Sequence, residues 1–454
     1  MFLTIVLGLI GLGIVIFIHE GGHFIAAKLS GISVEIFSLG WGKKLLSFRK
    51  GETEYRLSLF PVGGYCKMKG DDLMKRAWQK DESTIPYEEG SFFSASPWKR
   101  IFTVLSGPIS NFLFAVIVLS LLWYIGFSVH SFGNRIILVS DYAENIGDAP
   151  YPADKAGLKT GDRIISINGQ PVENFRDIQE AIAPSAGEEL SLTYLRNGEK
   201  HATKIIPDLD EDTGIGRIGI YAWVEPIIGR VQGDSSASIA GLREGDRIVT
   251  ANDKTIKHSL DFLEILNSTP DKIHFTCLRD GIEQETSLVV HYDEKGNPQL
   301  GFSFDMEVYR TPRLSIPASI LKGAKESYNT LLLTVKSIGM LFKGINIREA
   351  VSGPIRITYY VGEVASQGFQ LGIGSGLTNL FRFLSLLSVA LFLMNLLPIP
   401  ALDGGLFLLF LIEGLIKKPL KPKIVYRYQI IGFTIIFALF IFTTFNDLSF
   451  FLKN

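Results

Sequence analysis

Four stretches of the chain consist almost entirely of apolar residues, and each is long enough to cross a hydrocarbon layer of about 30 Å. Between them, charged residues return and the hydrophobic pattern changes to that of strands and amphipathic helices. The pattern therefore predicts a multi-pass α-helical membrane protein with four spans and folded parts outside the bilayer. The four stretches are Phe2–Ala27, Ile101–Phe127, Leu377–Leu397 and Ile430–Phe445.

The long segment between the second and third stretches contains an internal repeat. Residues 152–164 and 236–248 share the pattern A-G-L-x-x-G-D-R-I at an offset of 84 residues. A fixed offset indicates two copies of one supersecondary unit. A short helix ending at glycine, a Gly-Asp turn and an alternating strand resemble the PDZ domains of bacterial proteases. We therefore expect two tandem PDZ-like α+β domains, which either bind peptide ligands as an added strand or gate access by size.

Three further segments have weaker patterns. Residues 30–68 alternate like short strands separated by glycines, which predicts a small membrane-associated β-sheet whose edge is open to a substrate strand. Residues 316–342 have one apolar helical face, and we expect this helix at the membrane interface in preference to the core of the second repeat. Residues 346–376 are Gly-rich and predict a surface loop with a short helix.

These patterns divide the chain into nine segments. They are 1–29, first span; 30–97, cytoplasmic β-rich region; 98–128, second span; 129–222 and 223–309, the two PDZ-like domains; 310–376, amphipathic helix and membrane-surface segment; 377–405, third span; 406–429, cytoplasmic link; and 430–454, fourth span and C-terminus.

Basic residues next to the spans predict the orientation in the membrane. They cluster between Lys28 and Lys50 and between Lys417 and Arg427, whereas no Lys or Arg precedes Lys28. Loops rich in Lys and Arg stay in the cytoplasm. We therefore expect the repeats and both termini on the outer side of a bacterial cytoplasmic (inner) membrane, with the lipid bilayer around the spans.

Composition narrows the function classes. Of 454 residues 47% are hydrophobic, which is too apolar for an ordinary soluble protein, and the net charge of -1 gives no reason to expect nucleic acid as a partner. Cys66 and Cys277 fall in different regions, so neither a disulfide framework nor a cysteine-based zinc site is indicated.

The strongest candidate for a functional site is the run His19-Glu20-Gly21-Gly22-His23 inside the first apolar stretch. Residues four apart share one helical face, so both imidazoles can bind one cation with Glu20 beside it. The alternative is a pair of hydrogen-bonded helix histidines. Ionisable side chains inside a span are costly unless they have partners, so the placement favours a metal site.

A third metal ligand is expected at the end of the third stretch, because a catalytic zinc usually has three protein ligands and one open position. The segment Asn395–Gly405 reads N-L-L-P-I-P-A-L-D-G-G, in which prolines and glycines break the helix around Asp403. Irregular backbone at membrane depth occurs only where it is buried in protein or lines a cavity. Asp403 is therefore favoured as a ligand over a simple helix cap.

These two motifs together resemble the site-2 protease family of intramembrane zinc metalloproteases. The resemblance covers nearly the whole chain, including Gly107–Asn111, which matches the G-x-x-x-N element of that family. It implies that zinc is held by His19, His23 and Asp403 and that Glu20 is the general base. It also implies that Asn395 and Asn111 contact the substrate backbone or the developing oxyanion.

With two PDZ-like copies, the chain is most similar to bacterial members that trim membrane anti-sigma factors. The resemblance implies hydrolysis within the transmembrane segment of a pre-trimmed single-pass protein, as part of regulated intramembrane proteolysis in a stress response. Two alternatives remain open from the residues alone: a membrane scaffold or chaperone with a structural zinc, and a metal transporter.

Overall fold

The computed structural model describes residues 2–142, 150–210, 213–293, 296–340 and 351–453. The chain forms two compact units. The first contains Met1–Phe127 and Thr311–Asn454, and the second contains Ser128–Arg310. The second unit is thus an insertion between two parts of the first.

Four helices of the first unit are long and apolar enough to cross a membrane, and each covers all or nearly all of one of the four predicted stretches. The number of candidate spans is confirmed. Three of these helices begin earlier than the apolar pattern indicates, because a helix continues through polar residues once its backbone hydrogen bonds are formed. The four helices are Phe2–Leu29, Pro97–Ile125, Ile373–Leu396 and Pro422–Leu452.

The N-terminal part of the first unit holds a sheet between two spans. Its elements are α1 (Phe2–Leu29), β1 (Val34–Lys50), β2 (Thr53–Met68), α2 (Asp71–Gln79) and α3 (Pro97–Ile125).

Strands β1 and β2 are long and fold back on each other. Residues 36–39 pair with 54–57 on one side and with 64–67 on the other, and residues 44–50 pair with 53–58. Among the described strands, the last segment of β2 therefore pairs along one side only and forms an edge of the sheet. This arrangement matches the strands expected in residues 30–68.

The second unit contains the repeat seen in the sequence. The elements of this unit are β3 (Ser128–Ser131), β4 (Ile136–Leu138), α4 (Pro152–Lys155), β5 (Arg163–Ile167), β6 (Gln170–Pro171), α5 (Phe175–Ile182), β7 (Leu190–Arg196), β8 (Glu199–Ile205), β9 (Asp208–Leu209), β10 (Gly216–Arg217), β11 (Ile220–Ala222), β12 (Ile228–Val231), α6 (Ser236–Ile239), β13 (Arg247–Ala251), β14 (Lys254–Thr255), α7 (Ser259–Asn267), β15 (Lys272–Arg279), β16 (Ile282–Val289), β17 (His291–Tyr292), β18 (Pro298–Gln299), β19 (Phe302–Phe304) and β20 (Glu307–Arg310). The first copy has a four-stranded sheet in the order β6-β5-β7-β8, and the second copy has the order β14-β13-β15-β16.

The two copies also share their buried polar contacts. In the first, Arg196 donates to both carboxylate oxygens of Asp162 and to the carbonyl of Gly157. In the second, Arg279 makes the same three contacts with Asp246 and Gly241. Each copy has its own hydrophobic core, so the repeat is structural as well as sequential.

The C-terminal part of the first unit has five helices. They are α8 (Ile316–Met340), α9 (Pro354–Gln370), α10 (Ile373–Leu396), α11 (Asp403–Ile416) and α12 (Pro422–Lys453). Helix α8 belongs to the first unit, where Gly323 packs closely on Ser120 of α3 and Glu326 accepts a hydrogen bond from Trp123, so the alternative placement in the second repeat is wrong.

Helix α9 differs from the surface loop and short helix expected for residues 346–376, of which 346–350 lie outside the described residues. It packs on α1 so closely that a Cβ at Gly8 or Gly362 would overlap backbone of the other helix. Its N-terminus is capped by the fully buried Asp447 of α12, which accepts backbone N–H bonds from Gly353, Ile355 and Arg356. Three of the glycines that suggested a loop, Gly362, Gly368 and Gly376, are close helix-packing positions.

Candidate metal centre

The first half of the centre comes from one face of α1. His19 and His23 are one turn apart, and their Nε2 atoms lie 3.2 Å from each other. Both histidines lie in the apolar helix α1, and their four-residue spacing brings the two Nε2 atoms together on one face of it. This is the geometry that the H-E-x-x-H motif predicts.

The other half comes from the interruption between α10 and α11. Helix α10 ends at Leu396, and Asp403 is the first residue of α11. The chain reverses between them through Ala401, whose φ of 70° is left-handed, and a Cβ at Gly404 or Gly405 would overlap backbone of the reversal. The Pro and Gly residues therefore shape a compact turn that carries Asp403.

Asp403 reaches both histidines. Its Oδ2 lies 3.3 Å from Nε2 of His19, and its Oδ1 lies 3.5 Å from Nε2 of His23. One ligand atom from each of the three residues lies within 4.8 Å of the others. Two imidazole nitrogens, one carboxylate oxygen and an adjoining cavity match a catalytic zinc site. The residues present therefore fit a zinc ion.

Helix α3 supports the two histidines from behind. It approaches α1 closely, since Ser110 donates to the carbonyl of Ile18 and a Cβ at Gly22 would overlap the carbonyl of Ser106. This approach brings Nδ1 of His23 within 2.9 Å of the Thr103 carbonyl. A hydrogen on Nδ1 leaves the lone pair of Nε2 free for a metal.

Glu20 faces a cavity of about 310 Å³ that is also lined by His23 and Asp403. Cys66, in the edge segment of β2, lines the same cavity as Glu20. At Gly64 the strand approaches so closely that a Cβ would lie 3.1 Å from Cγ of Glu20. The carboxylate is thus held between the ligand cluster and the sheet edge.

The two predicted asparagines differ in their position. Asn111 on α3 is fully buried, and its amide lies 3.3 Å from Nδ1 of His19. Asn395 is half-buried in the last turn of α10, and no hydrogen bond joins it to the histidines, Glu20 or Asp403 among the described residues. The structure therefore joins Asn111 to the ligand cluster and gives Asn395 no hydrogen bond to it among the described residues.

A known protein family matches almost the whole chain. Residues 7–439 match the model of peptidase family M50. The chain belongs to peptidase family M50. It is therefore a zinc metalloprotease of the site-2 protease type and a multi-pass membrane protein, and the scaffold and transporter alternatives are wrong.

Individual relatives agree with the M50 assignment. A protein of Treponema pallidum (strain Nichols), named as a zinc metalloprotease, is 38% identical over 451 residues, covering 99% of each chain. Similarly named proteins of Borreliella burgdorferi and Vibrio cholerae are 32% and 28% identical, covering 98% and 97% of each chain.

A solved PDZ domain of an SdrC-like protein from Listeria monocytogenes is similar to part of this chain. It covers 18% of this chain and 90% of its own, with 20% identity and a TM-score of 0.17. This likeness is too weak to assign the two repeats.

Three contributors to the centre received no role in the sequence analysis. The Thr103 acceptor is a backbone carbonyl. Gln429 of α12 lines the cavity from a helix that follows the ligand segment. Gly107 lies so close to His23 that a Cβ there would overlap the imidazole ring. Only Gly107 falls in a motif that the sequence singled out.

Proposed function

We propose that this M50 peptidase hydrolyses a peptide bond within the transmembrane segment of a single-pass protein whose outer domain has already been removed. The observation that carries the proposal is the position of the centre. Its two histidines and Glu20 lie in a helix apolar enough to span a membrane, and Asp403 converges on the same point from a broken segment. A hydrolytic centre inside a membrane span can act on the membrane-embedded segment of a substrate.

The proposal gives each residue a role. His19, His23 and Asp403 hold zinc, and Glu20 is the general base. When bound, zinc lowers the pKa of a coordinated water to about 7 and polarises the scissile carbonyl. Glu20 takes the proton of the attacking water and delivers it to the leaving amine. Asn395 is proposed to donate to the substrate backbone or the developing oxyanion, a contribution of about 3 kcal/mol in other hydrolases.

The sheet edge offers a way to present the substrate. A helical segment satisfies its own backbone groups, so it must unwind before a peptide bond is accessible. The edge segment of β2 lies beside Glu20 and pairs along one side only among the described strands. We propose that an unwound substrate pairs with this edge, which replaces the hydrogen bonds that it loses.

A substrate prediction follows from this unwinding. A single-pass substrate with one or two glycines in its span should be cut faster than the same span with alanines, because Gly costs a helix about 1 kcal/mol per residue relative to Ala. The rates are compared in one lipid composition at equal substrate density. Equal rates for the two spans would count against substrate unwinding as a barrier to cleavage.

For the second unit we propose two tandem PDZ-like domains on the outer side of a bacterial inner membrane, with both termini on that side. An anti-sigma-factor-like client in regulated proteolysis fits this arrangement. The matched contacts of Asp162 and Asp246 support a duplicated module. The modules either bind the new peptide terminus or exclude untrimmed substrates by size.

The decisive test compares wild type with Glu20→Gln on a pre-trimmed single-pass peptide, with zinc content measured for both. Wild type should cut, and the variant should retain zinc and lose cleavage, because its amide cannot accept a proton. Glu363→Gln on α9, a position that does not line the cavity, is the matched control and should cut normally. Cleavage by Glu20→Gln at the wild-type rate would overturn the assignment.

A further inference from the structure

Asn111 is buried against the back of a proposed zinc ligand. Its side chain is 0% exposed, and Nδ2 lies 3.3 Å from Nδ1 of His19. Its Oδ1 is buried and has no hydrogen-bond partner among the described residues. A buried amide with an unused acceptor is costly in a span, so this arrangement requires a chemical explanation.

Each of the two histidines needs a hydrogen-bond acceptor at Nδ1. Each directs Nε2 toward Asp403, so each must carry its hydrogen on Nδ1 when Nε2 binds a metal. That N–H is buried and needs an acceptor. His23 has one in the Thr103 carbonyl, at 2.9 Å. For His19, the described neighbour of Nδ1 is the Asn111 amide.

An amide nitrogen cannot serve this purpose, because two N–H donors would face each other. The oxygen and nitrogen of an asparagine amide are close in size, and a half-turn about the Cβ–Cγ bond exchanges their positions. After this turn, Oδ1 accepts the Nδ1 hydrogen of His19. The acceptor that lacked a partner then has one, and both histidines are in the form that binds metal through Nε2.

We propose that Asn111 is a positioning residue that accepts the Nδ1 hydrogen of His19, and thereby fixes the tautomer and ring orientation of this ligand. The inference rests on the proposed function and deepens it. It differs from a contact of Asn111 with the substrate or oxyanion, in which the amide acts as a donor. The two roles predict opposite behaviour for a variant that keeps an acceptor and has no donor.

The test uses the full chain in detergent, with zinc affinity measured by competition with a chelator and with cleavage measured in parallel. Asn111→Leu removes the acceptor at similar size and should weaken zinc binding about 10–100-fold. Asn111→Asp keeps an acceptor and should bind zinc within a few-fold of wild type and still cut. Ser106→Ala, which removes a hydroxyl whose hydrogen bond among the described residues stays within α3, is the control and should match wild type.

Two outcomes would overturn the inference. One is wild-type zinc affinity in Asn111→Leu. The other is an Asn111→Asp chain that binds zinc normally and has lost cleavage, which would indicate a donor role. If Asn111→Leu does not fold, Asn111→Ala is measured in the same way. A wild-type chain that neither binds zinc nor cuts would instead overturn the proposed function, so the two failures are distinguishable.

Discussion

At the scale of single residues, the geometry of the metal centre depends on two glycines as well as on the ligands. Gly107 lies against His23 with no room for a side chain, and Gly22 lets α1 approach the Ser106 carbonyl. Small residues at these positions allow two membrane helices to pack backbone to backbone. That contact brings the Thr103 acceptor to His23, so the ligand geometry depends on the glycines behind it.

Gly107→Ala tests this dependence. The new Cβ would overlap the imidazole of His23, so the ring must move from the ligand position. A displacement of about 1 Å is expected to lower the cleavage rate about 10²-fold. Gly13→Ala in α1, where a Cβ meets nothing within 4 Å, is the control. Normal zinc content and normal cleavage in Gly107→Ala would contradict the geometry.

At the scale of secondary-structure elements, the break before α11 is supported by α12. Gly432 of α12 lies directly against the Pro400 carbonyl, and Tyr428 donates to the carbonyl of Gly405 at 3.1 Å. A second support is the buried pair between Arg100 of α3 and Glu413 of α11. The element that carries Asp403 is therefore fixed at both of its ends.

Gly432→Ala should displace the turn that carries Asp403. The added methyl group would overlap the Pro400 carbonyl, so we expect cleavage to fall about 10²-fold, with reduced zinc retention on dialysis. Thr434→Ala in the same helix removes an exposed hydroxyl that donates to the carbonyl of Ile430 within α12, and this variant should behave like wild type. A Gly432→Ala chain with unchanged activity would show that α12 does not support the break.

The repeated Arg–Asp contact predicts how the second unit responds to acid. Burial opposes ionisation of Asp246, but the hydrogen bonds from Arg279 and from the Arg243 backbone outweigh it, so the pKa of Asp246 lies below its ordinary value of 3.8. Because the folded-state pKa is the lower one, the contact stabilises fully above that ordinary value. Its contribution is lost as the pH falls through the folded-state pKa.

Asp246→Asn should therefore lower the free energy of unfolding by about 1–3 kcal/mol at pH 7 and by less in acid. Chemical denaturation of the Ser128–Arg310 fragment at neutral and acidic pH measures this difference. Asp271→Asn, at an exposed position, is the control. A loss of stability that does not change with pH would refute the assignment.

At the scale of the whole molecule, the chain combines two units that have separate cores. The second unit has a hydrophobic cluster in each repeat, and its two ends pair as β3 and β20. An insertion whose ends lie side by side can be removed with little effect on the chain that holds it.

We therefore expect Ser128–Arg310 to fold alone, and a chain with Phe127 joined to Thr311 by a short Gly/Ser linker to retain zinc. Cooperative unfolding of the fragment and zinc analysis of the shortened chain measure this. If the repeats gate by size, the shortened chain cuts untrimmed substrates. If they bind peptide termini, it cuts trimmed substrates more slowly. Loss of zinc from the shortened chain would contradict the independence of the units.

The sequence by itself determined the four spans, the duplicated module and the identity of the candidate ligands. These follow from local periodicity and from spacing along one helix, which side chains a few residues apart set. The convergence of Asp403 on His19 and His23 was also expected from the sequence, because a catalytic zinc needs a third protein ligand and the broken helix around Asp403 must be buried in protein or line a cavity.

Only the tertiary structure decided what surrounds the ligands. The groups at Nδ1 of His23 and His19 come from Thr103 and Asn111, which are 80 and 92 residues away in the chain. A backbone carbonyl does not depend on the identity of its side chain. An asparagine has the same letter in the sequence whether it contacts a substrate or a metal-binding histidine. The tertiary structure also decided that α9 is a helix. Its Gly362 allows close packing on α1, and this packing stabilises the helix although glycine alone favours a loop.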